Sequence, residues 1–213
     1  RSRHLWVRST TNGSLLHVNE KFKRVIDADI CEIQVSVDGA TEEAYRSIRR
    51  GGNFKRVMGN CRLLNRYAID NKLLRTRMWV VVQSANFREI EKFPFLAAEL
   101  GFDRLTLSLD LNDWGQSKWK EINDTTDMHR YFTVEQAKEL INLGRGHGVE
   151  VTFWFIDEKY RKGDKNRTCP WPFQRAYISS DMRVVPCCMM ANPDVYDLGD
   201  ARDFDSVWHG DKM

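Results

Sequence analysis

With 213 residues, 42% of them hydrophobic and 30% charged, the chain has room for one large globular domain, or a domain with a small appendage, and an ordinary soluble composition. A net charge of +3, spread along the chain, is too small and too scattered for a nucleic-acid surface, which needs a concentrated basic face. No apolar run approaches the roughly 18–20 residues that span a bilayer, and Arg1-Ser2-Arg3-His4 does not open a signal peptide, so a cytoplasmic protein with no membrane partner is expected. The chain begins with Arg1 and closes five residues after Trp208, which predicts a polypeptide incomplete at both ends.

Strands are predicted over residues 5–10, 33–38, 77–83, 104–109 and 150–155, each short and rich in Val, Ile, Leu or Trp. Helical stripes fall between them. Phe54, Val57, Met58, Cys61, Leu64 and Ala68 recur at three- and four-residue steps and place Cys61 in a core. Ile90, Phe93, Ala97 and Leu100 draw a second stripe that stops at Gly101. Val134, Ala137, Leu140 and Ile141 draw a third behind Thr133 as N-cap. Thr41 followed by Glu42 and Glu43 is a further helix start, because acidic residues favour the first turn. Alternating strands and helices predict parallel strands joined by crossover helices, in an open doubly wound sheet or in part of a barrel. Residues 110–132, with Trp114, Trp119, Lys118 and Lys120, are expected to form a long loop at a strand's carboxyl end, either shaping a substrate site or lying on the surface as an excursion.

Past residue 155 the pattern changes. A charged stretch from 157 to 167 marks a boundary near residue 160, dividing the chain into 1–160 and 161–213. Residues 176–179 and 183–186 flank Ser180-Asp181-Met182 and predict a β-hairpin, preceded by Cys169 and closed by Cys187-Cys188. Five cysteines with no secretion signal argue against a disulfide framework. A hairpin folds the chain back on itself, so Cys169 and Cys187 can meet at one soft-metal centre, zinc or iron–sulfur, or can be two buried thiols. Cys188 would point the other way on a strand, so one of the adjacent pair is expected to be the ligand. Cys31, like Cys61, reads as core.

Cys169-Pro170-Trp171-Pro172 through Ile178, Asp181-Met182, Val184, Pro186-Cys187-Cys188, Leu198-Gly199-Asp200 and Val207-Trp208 resembles the opening half of the SPASM domain of radical S-adenosylmethionine (SAM) enzymes. That domain is written Cys, nine to fifteen residues, Gly, four residues, Cys, and the spacing Cys169–Met182–Cys187 fits it with Met182 in place of Gly. A non-Gly residue at a left-handed turn costs roughly 1–2 kcal/mol, so a different turn or a tolerated strain is expected there. Upstream, Thr11-Asn12-Gly13 after the first strand, and Ser36-Val37-Asp38-Gly39 with Tyr45, Arg49 and Phe54, are similar to the same family's barrel repeats.

The resemblance implies the later repeats of a partial (β/α)6 TIM-like barrel, followed by a small β-hairpin-containing iron–sulfur domain. It implies that Ser36 and Arg49 hold the amino-acid end of SAM; a hydroxyl and a two-pronged guanidinium suit a carboxylate. Without it, Ser36 reads as a strand-end hydroxyl and Arg49 as an exposed helix arginine. It implies Cys169 with Cys187 or Cys188 as ligands of an auxiliary [4Fe-4S] cluster. It also implies a peptide or small-molecule substrate and a reducing partner such as flavodoxin or ferredoxin. Asp38 is read as structural, and Gln83 and Asn86 as loop caps that could instead line the cavity. The family's Cys-x3-Cys-x2-Cys motif does not occur in these 213 residues, so this polypeptide alone is expected to be inactive and its parent active. The competing reading is a non-catalytic interaction module with a structural zinc or cluster site; a nucleic-acid modifier would draw only on Trp114, Trp119 and their lysine neighbours.

Overall fold

The computed structural model describes residues 6–111, 113, 116–154 and 170–213. They divide into two compact units: the described residues up to 110 with 127–154, and the described residues of 111–126 with 170–213. The expected boundary near residue 160, Cys169 and Trp114 lie outside the described residues.

The first unit is built on five parallel strands, β1 (Arg8–Thr11), β2 (Glu32–Ser36), β3 (Thr76–Val81), β4 (Arg104–Ser108) and β5 (Glu150–Trp154), adjacent in chain order. That order separates the two architectures left open by periodicity. Doubly wound sheets reverse direction at a switch point, whereas a sheet wound one way with right-handed crossovers keeps its helices on one face, as a barrel wall does. The helices are α1 (Lys21–Asp27), α2 (Glu42–Ile48), α3 (Phe54–Asp70), α4 (Lys92–Glu99) and α6 (Val134–Gly146), with α5 (Ser117–Thr126) in the second unit.

Strand side chains alternate between faces. Ile33, Val35, Met78, Val80, Leu105, Leu107 and Val151 form the helix-side face and are buried. The stripes predicted for the helices supply the other half of this core: Val57, Met58, Cys61, Leu64 and Ala68 from α3, and Ile90, Phe93, Ala97 and Leu100 around α4. Burial pushes the Cys61 thiol up to about 12, so this sulfur stays a protonated core group. Cys31 is only half-buried and accepts from the Val7 N–H at 3.4 Å, a more peripheral place than the core expected of it. Asn65 ties α3 to the sheet, accepting from Thr76 Oγ1 at 2.5 Å and donating to the Leu100 carbonyl at 2.8 Å. Thr133 caps α6 in a capping box with Gln136, as its position predicted. Val134 is nevertheless exposed, and α6 buries only Leu140 and Gly144, a narrower stripe than the sequence suggested.

One expectation is overturned within the 110–132 segment, which contains the helix α5 rather than only loop. Its apolar content is limited to Trp119 and Ile122, both exposed, so no stripe announces it; the Lys120–Asp124 pair at 2.8 Å supports it along one face.

The second unit contains an antiparallel sheet in the order β6 (Tyr177–Ile178), β7 (Arg183–Val185), β8 (Gly199–Asp200). The predicted hairpin pairs Tyr177 with Val185 and Ile178 with Val184. Its turn is left-handed at Met182, with φ of 65°, so the strain anticipated for a non-Gly residue is present and tolerated. Met182 is largely exposed, and substitution by Gly removes the Cβ clash while losing little packing. Met182→Gly is expected to raise stability by up to about 1 kcal/mol, the strain relief being partly offset by glycine's greater freedom when unfolded. Chemical denaturation of the two proteins checks this, and a destabilised glycine variant contradicts it.

Candidate functional site at the helix-free face of the sheet

The face of the sheet opposite its helix-side face is polar at its amino end and mixed, with indoles beside hydroxyls, toward its carboxyl end. At its amino end Glu32, 4% exposed at its side chain, forms an ion pair with Arg8 at 3.0 Å and accepts from Arg77 at 3.0 Å, Arg104 at 3.3 Å and the Gln34 amide at 3.1 Å. Arg77 continues the network to Thr106 at 3.0 Å and Thr152 at 3.3 Å. One carboxylate thus collects three guanidinia from three neighbouring strands and closes the floor of this face. Arg77 and Arg104 lie mostly out of water.

Above the floor the residues change character. The register sets Ser36 beside Trp79, and Ser108 beside Trp154. The two indoles lie 6.2 Å apart at 54°. Ser36 and Ser108 are both buried, and neither hydroxyl has a hydrogen-bond partner among the described residues. The hydroxyls themselves are not enclosed, so at the carboxyl ends of their strands they are open to a ligand's polar group.

At the end of β2 the chain is fastened by Asp38. Its Oδ1 accepts from the Val81 N–H at 2.8 Å and its Oδ2 from the Arg49 guanidinium at 2.5 Å. Burial pushes the Asp38 carboxyl above its ordinary range, with Arg49 and the Val81 N–H pulling in the other direction. Asn86, fully buried, donates to the carbonyls of Asp38 and Val81, both at 2.9 Å, and accepts from the Gln83 N–H at 2.8 Å. It acts as the loop cap of the sequence reading. Thr41 caps α2 through the Ala44 N–H, and Glu89 receives the N–H groups of Ala40 and Thr41 at 3.0 and 3.2 Å. Gly39 is required by close approach: a Cβ there would stand 2.2 Å from the Tyr45 backbone nitrogen. Gly39→Ala is therefore expected to displace α2 and cost at least about 2 kcal/mol, read as a lowered denaturation midpoint; an unchanged midpoint contradicts the packing described.

Ser36 and Arg49, the two expected SAM-binding residues, both sit at the carboxyl end of β2, one at the strand's last position and one at the end of α2. Arg49 is engaged by Asp38, a partner that spacing did not reveal. Cys187 and Cys188 follow β7 directly and are half-buried, and the Cys187 carbonyl accepts from the Met190 N–H at 3.1 Å. Two adjacent cysteine sulfurs are suitable soft donors for iron. Among the described residues no three metal-ligating side chains converge.

A parallel α/β wall with a polar strand-end site, joined in sequence to a small cysteine-bearing antiparallel sheet, defines the class of protein. The model for the radical SAM superfamily matches residues 1–97, and the model for the SPASM iron–sulfur cluster-binding domain matches residues 169–213. Mycofactocin maturase MftC of Mycobacterium tuberculosis is 27% identical over 124 residues, which are 58% of this chain and 30% of that protein. MftC of Mycolicibacterium smegmatis is 24% identical over 127 residues, 60% of this chain and 31% of that one. Among solved structures, anSMEcpe with bound AdoMet superposes with a TM-score of 0.61 at 17% identity, covering 99% of this chain and 59% of its own. Streptococcus suis SuiB bound to precursor peptide SuiA gives 0.63 at 12% identity, with 97% and 48% covered. In both matched segments the chain is similar to the radical SAM enzymes that carry a SPASM domain. It spans about a third of the length of the curated relatives it matches.

Proposed function

We propose that the chain forms the later barrel repeats, residues 1–160, and the opening of the auxiliary-cluster domain, residues 161–213, of a peptide-modifying radical SAM enzyme. The observation that carries this reading is Ser36 at the carboxyl end of β2, on the face that also carries Glu32, with a hydroxyl that has no hydrogen-bond partner among the described residues and remains accessible. When bound, a [4Fe-4S] cluster and SAM supply an electron and a 5′-deoxyadenosyl radical able to abstract hydrogen from a substrate.

The chain's own residues have narrower tasks. Ser36 donates its hydroxyl to the carboxylate of SAM, and Arg49, already fixed by Asp38, directs its remaining N–H groups there. Trp79 and Trp154 wall the same face and keep water from it. Cys169 with Cys187, or with Cys188 in its place, holds the auxiliary cluster, in line with the SPASM match. A peptide substrate is supported by the names of the relatives, maturases and a precursor-peptide complex. The electron comes from a flavodoxin- or ferredoxin-like donor, and the three-cysteine motif that holds the SAM-cleaving cluster belongs to the parent enzyme outside these 213 residues.

The test is anaerobic reconstitution of the full-length enzyme with iron and sulfide. A brown protein that releases 5′-deoxyadenosine from SAM under a reductant is expected, and Ser36→Ala is expected to weaken SAM binding about tenfold. A protein that takes up zinc and no iron, and forms no 5′-deoxyadenosine, overturns the reading in favour of a non-catalytic module.

A further inference from the structure

The face of the first unit that carries Ser36 holds a second accessible hydroxyl. Ser108 ends β4, and its hydroxyl is not enclosed and has no hydrogen-bond partner among the described residues. Strand register places it two strands across from Ser36 and two residues further along. At the spacings of a parallel sheet those two positions stand roughly 11–12 Å apart. Two hydroxyls that donate to one carboxylate can be separated by at most about 8 Å, so a carboxylate held at Ser36 does not reach Ser108. The second hydroxyl serves another group.

The surroundings of Ser108 are aromatic. Trp154 is its register partner on β5, and Trp79 lies diagonally across from it on β3. The two tryptophans are themselves two strands and two residues apart, yet their ring centroids are 6.2 Å from each other, so the indoles lean together above β4. Both side chains are half-buried. The two register rows that hold them contain only serine, threonine, valine and tryptophan. Of the charges nearby, Arg77 is taken by Glu32 and Asp38 by Arg49. A charged group laid on these indoles would lose water and find no ion of opposite sign, a cost that a cation–π contact offsets only in part. Apolar carbon gains contact with both rings and loses nothing.

We infer that Ser108, Trp79 and Trp154 select the substrate. An uncharged, apolar side chain of the peptide packs against the two indoles, and the peptide carbonyl beside it accepts from the Ser108 hydroxyl. This rests on the reading of the chain as part of a peptide-modifying enzyme, and it adds which kind of side chain such an enzyme takes and which residues choose it.

The isotope-labelled 213-residue chain is titrated with N-acetyl-phenylalaninamide and separately with N-acetyl-lysinamide. The indole N–H signals are followed by nuclear magnetic resonance and assigned with Trp79→Phe and Trp154→Phe. Saturable movement of both signals by the phenylalanine amide is expected, with the lysine amide bound at least about tenfold more weakly. Ser108→Ala is expected to weaken the phenylalanine amide about fivefold with the circular dichroism spectrum unchanged, and Ser108→Thr, which keeps the hydroxyl, to restore it. Ser108→Asp supplies a counter-charge and should turn the preference toward the lysine amide. No saturable movement of these indoles overturns the proposal, as does a lysine amide bound as tightly as the phenylalanine amide. So does a Ser108→Ala chain that binds like the parent, or a full-length Ser108→Ala enzyme with weakened SAM affinity. The two readings fail separately: a full-length enzyme that forms no 5′-deoxyadenosine, while the chain still selects the apolar amide, removes the enzymatic reading alone. An enzyme that cleaves SAM, while the chain shows no such selection, removes this one alone.

Discussion

Glu32→Gln is expected to lower the unfolding free energy of the chain by about 3–5 kcal/mol and its melting temperature by roughly 10 °C. The carboxylate is 4% exposed and is the shared partner of Arg8, Arg77 and Arg104. The amide is nearly the same size, so packing is unchanged and the loss is electrostatic. It leaves Arg77 and Arg104, 15% and 23% exposed, facing each other with no anion between them. Arg8 is the most exposed of the three, at 42%, so Arg8→Gln should cost about 1 kcal/mol or less. Differential scanning calorimetry of the two variants checks the contrast. Equal, small losses would mean that the floor is not held by this carboxylate.

Arg49→Gln is expected to cost about 2–4 kcal/mol at pH 7, less than a fully buried pair because the arginine is 34% exposed while Asp38 is 3% exposed. The pH dependence has a definite sign. Burial already raises the Asp38 carboxyl above its unfolded value of 3.8, so its contribution is fully present below that value and is lost as pH rises through the folded pKa. Removing Arg49 takes away the largest of the influences that oppose burial, and the folded value climbs further. The deficit relative to the parent chain should therefore be largest at pH 7–8 and shrink toward pH 4. Denaturant midpoints across that range check it, and a deficit that grows on acidification contradicts it. Asp38→Asn combined with Arg49→Gln separates the two roles given to the arginine. Stability should largely recover in the double variant, while SAM affinity in the full-length enzyme should stay low.

The parts of the fold that depend on local pattern were legible in the sequence. β2, β3, β4 and β5 begin within one residue of their predicted starts, because the runs are apolar and short, and Thr133 and Thr41 mark helix starts as expected of N-caps. Alternation along β2 also sets Glu32, Gln34, Ser36 and Asp38 on one face. What that face does was not legible. The arginines that meet Glu32 stand 24, 45 and 72 residues away, and only parallel registry brings them together. The choice between open sheet and barrel wall was closed to periodicity for the same reason, since strand order is a pairing fact. α5 escaped notice because an exposed helix has no stripe to show.

The candidate site divides along similar lines. Ser36 and Arg49 were reached through resemblance, with the physical plausibility of a hydroxyl and a guanidinium for a carboxylate. Their surroundings came only from the fold: a Ser36 hydroxyl with no partner among the described residues, and Arg49 already engaged by Asp38. Met182 is the opposite case. A departure from Gly in the pattern predicted strain at one position, and a positive φ occurs there.

Cys187, with Cys188 as its alternative, is the proposed iron ligand of the auxiliary cluster. Its most direct test is the iron and acid-labile sulfide content of the full-length enzyme, reconstituted without oxygen, with and without Cys187→Ala. Loss of about four iron atoms and four sulfides per chain from the variant, with the SAM-cleaving cluster retained, is the predicted result. Identical iron and sulfide in the two proteins would contradict it.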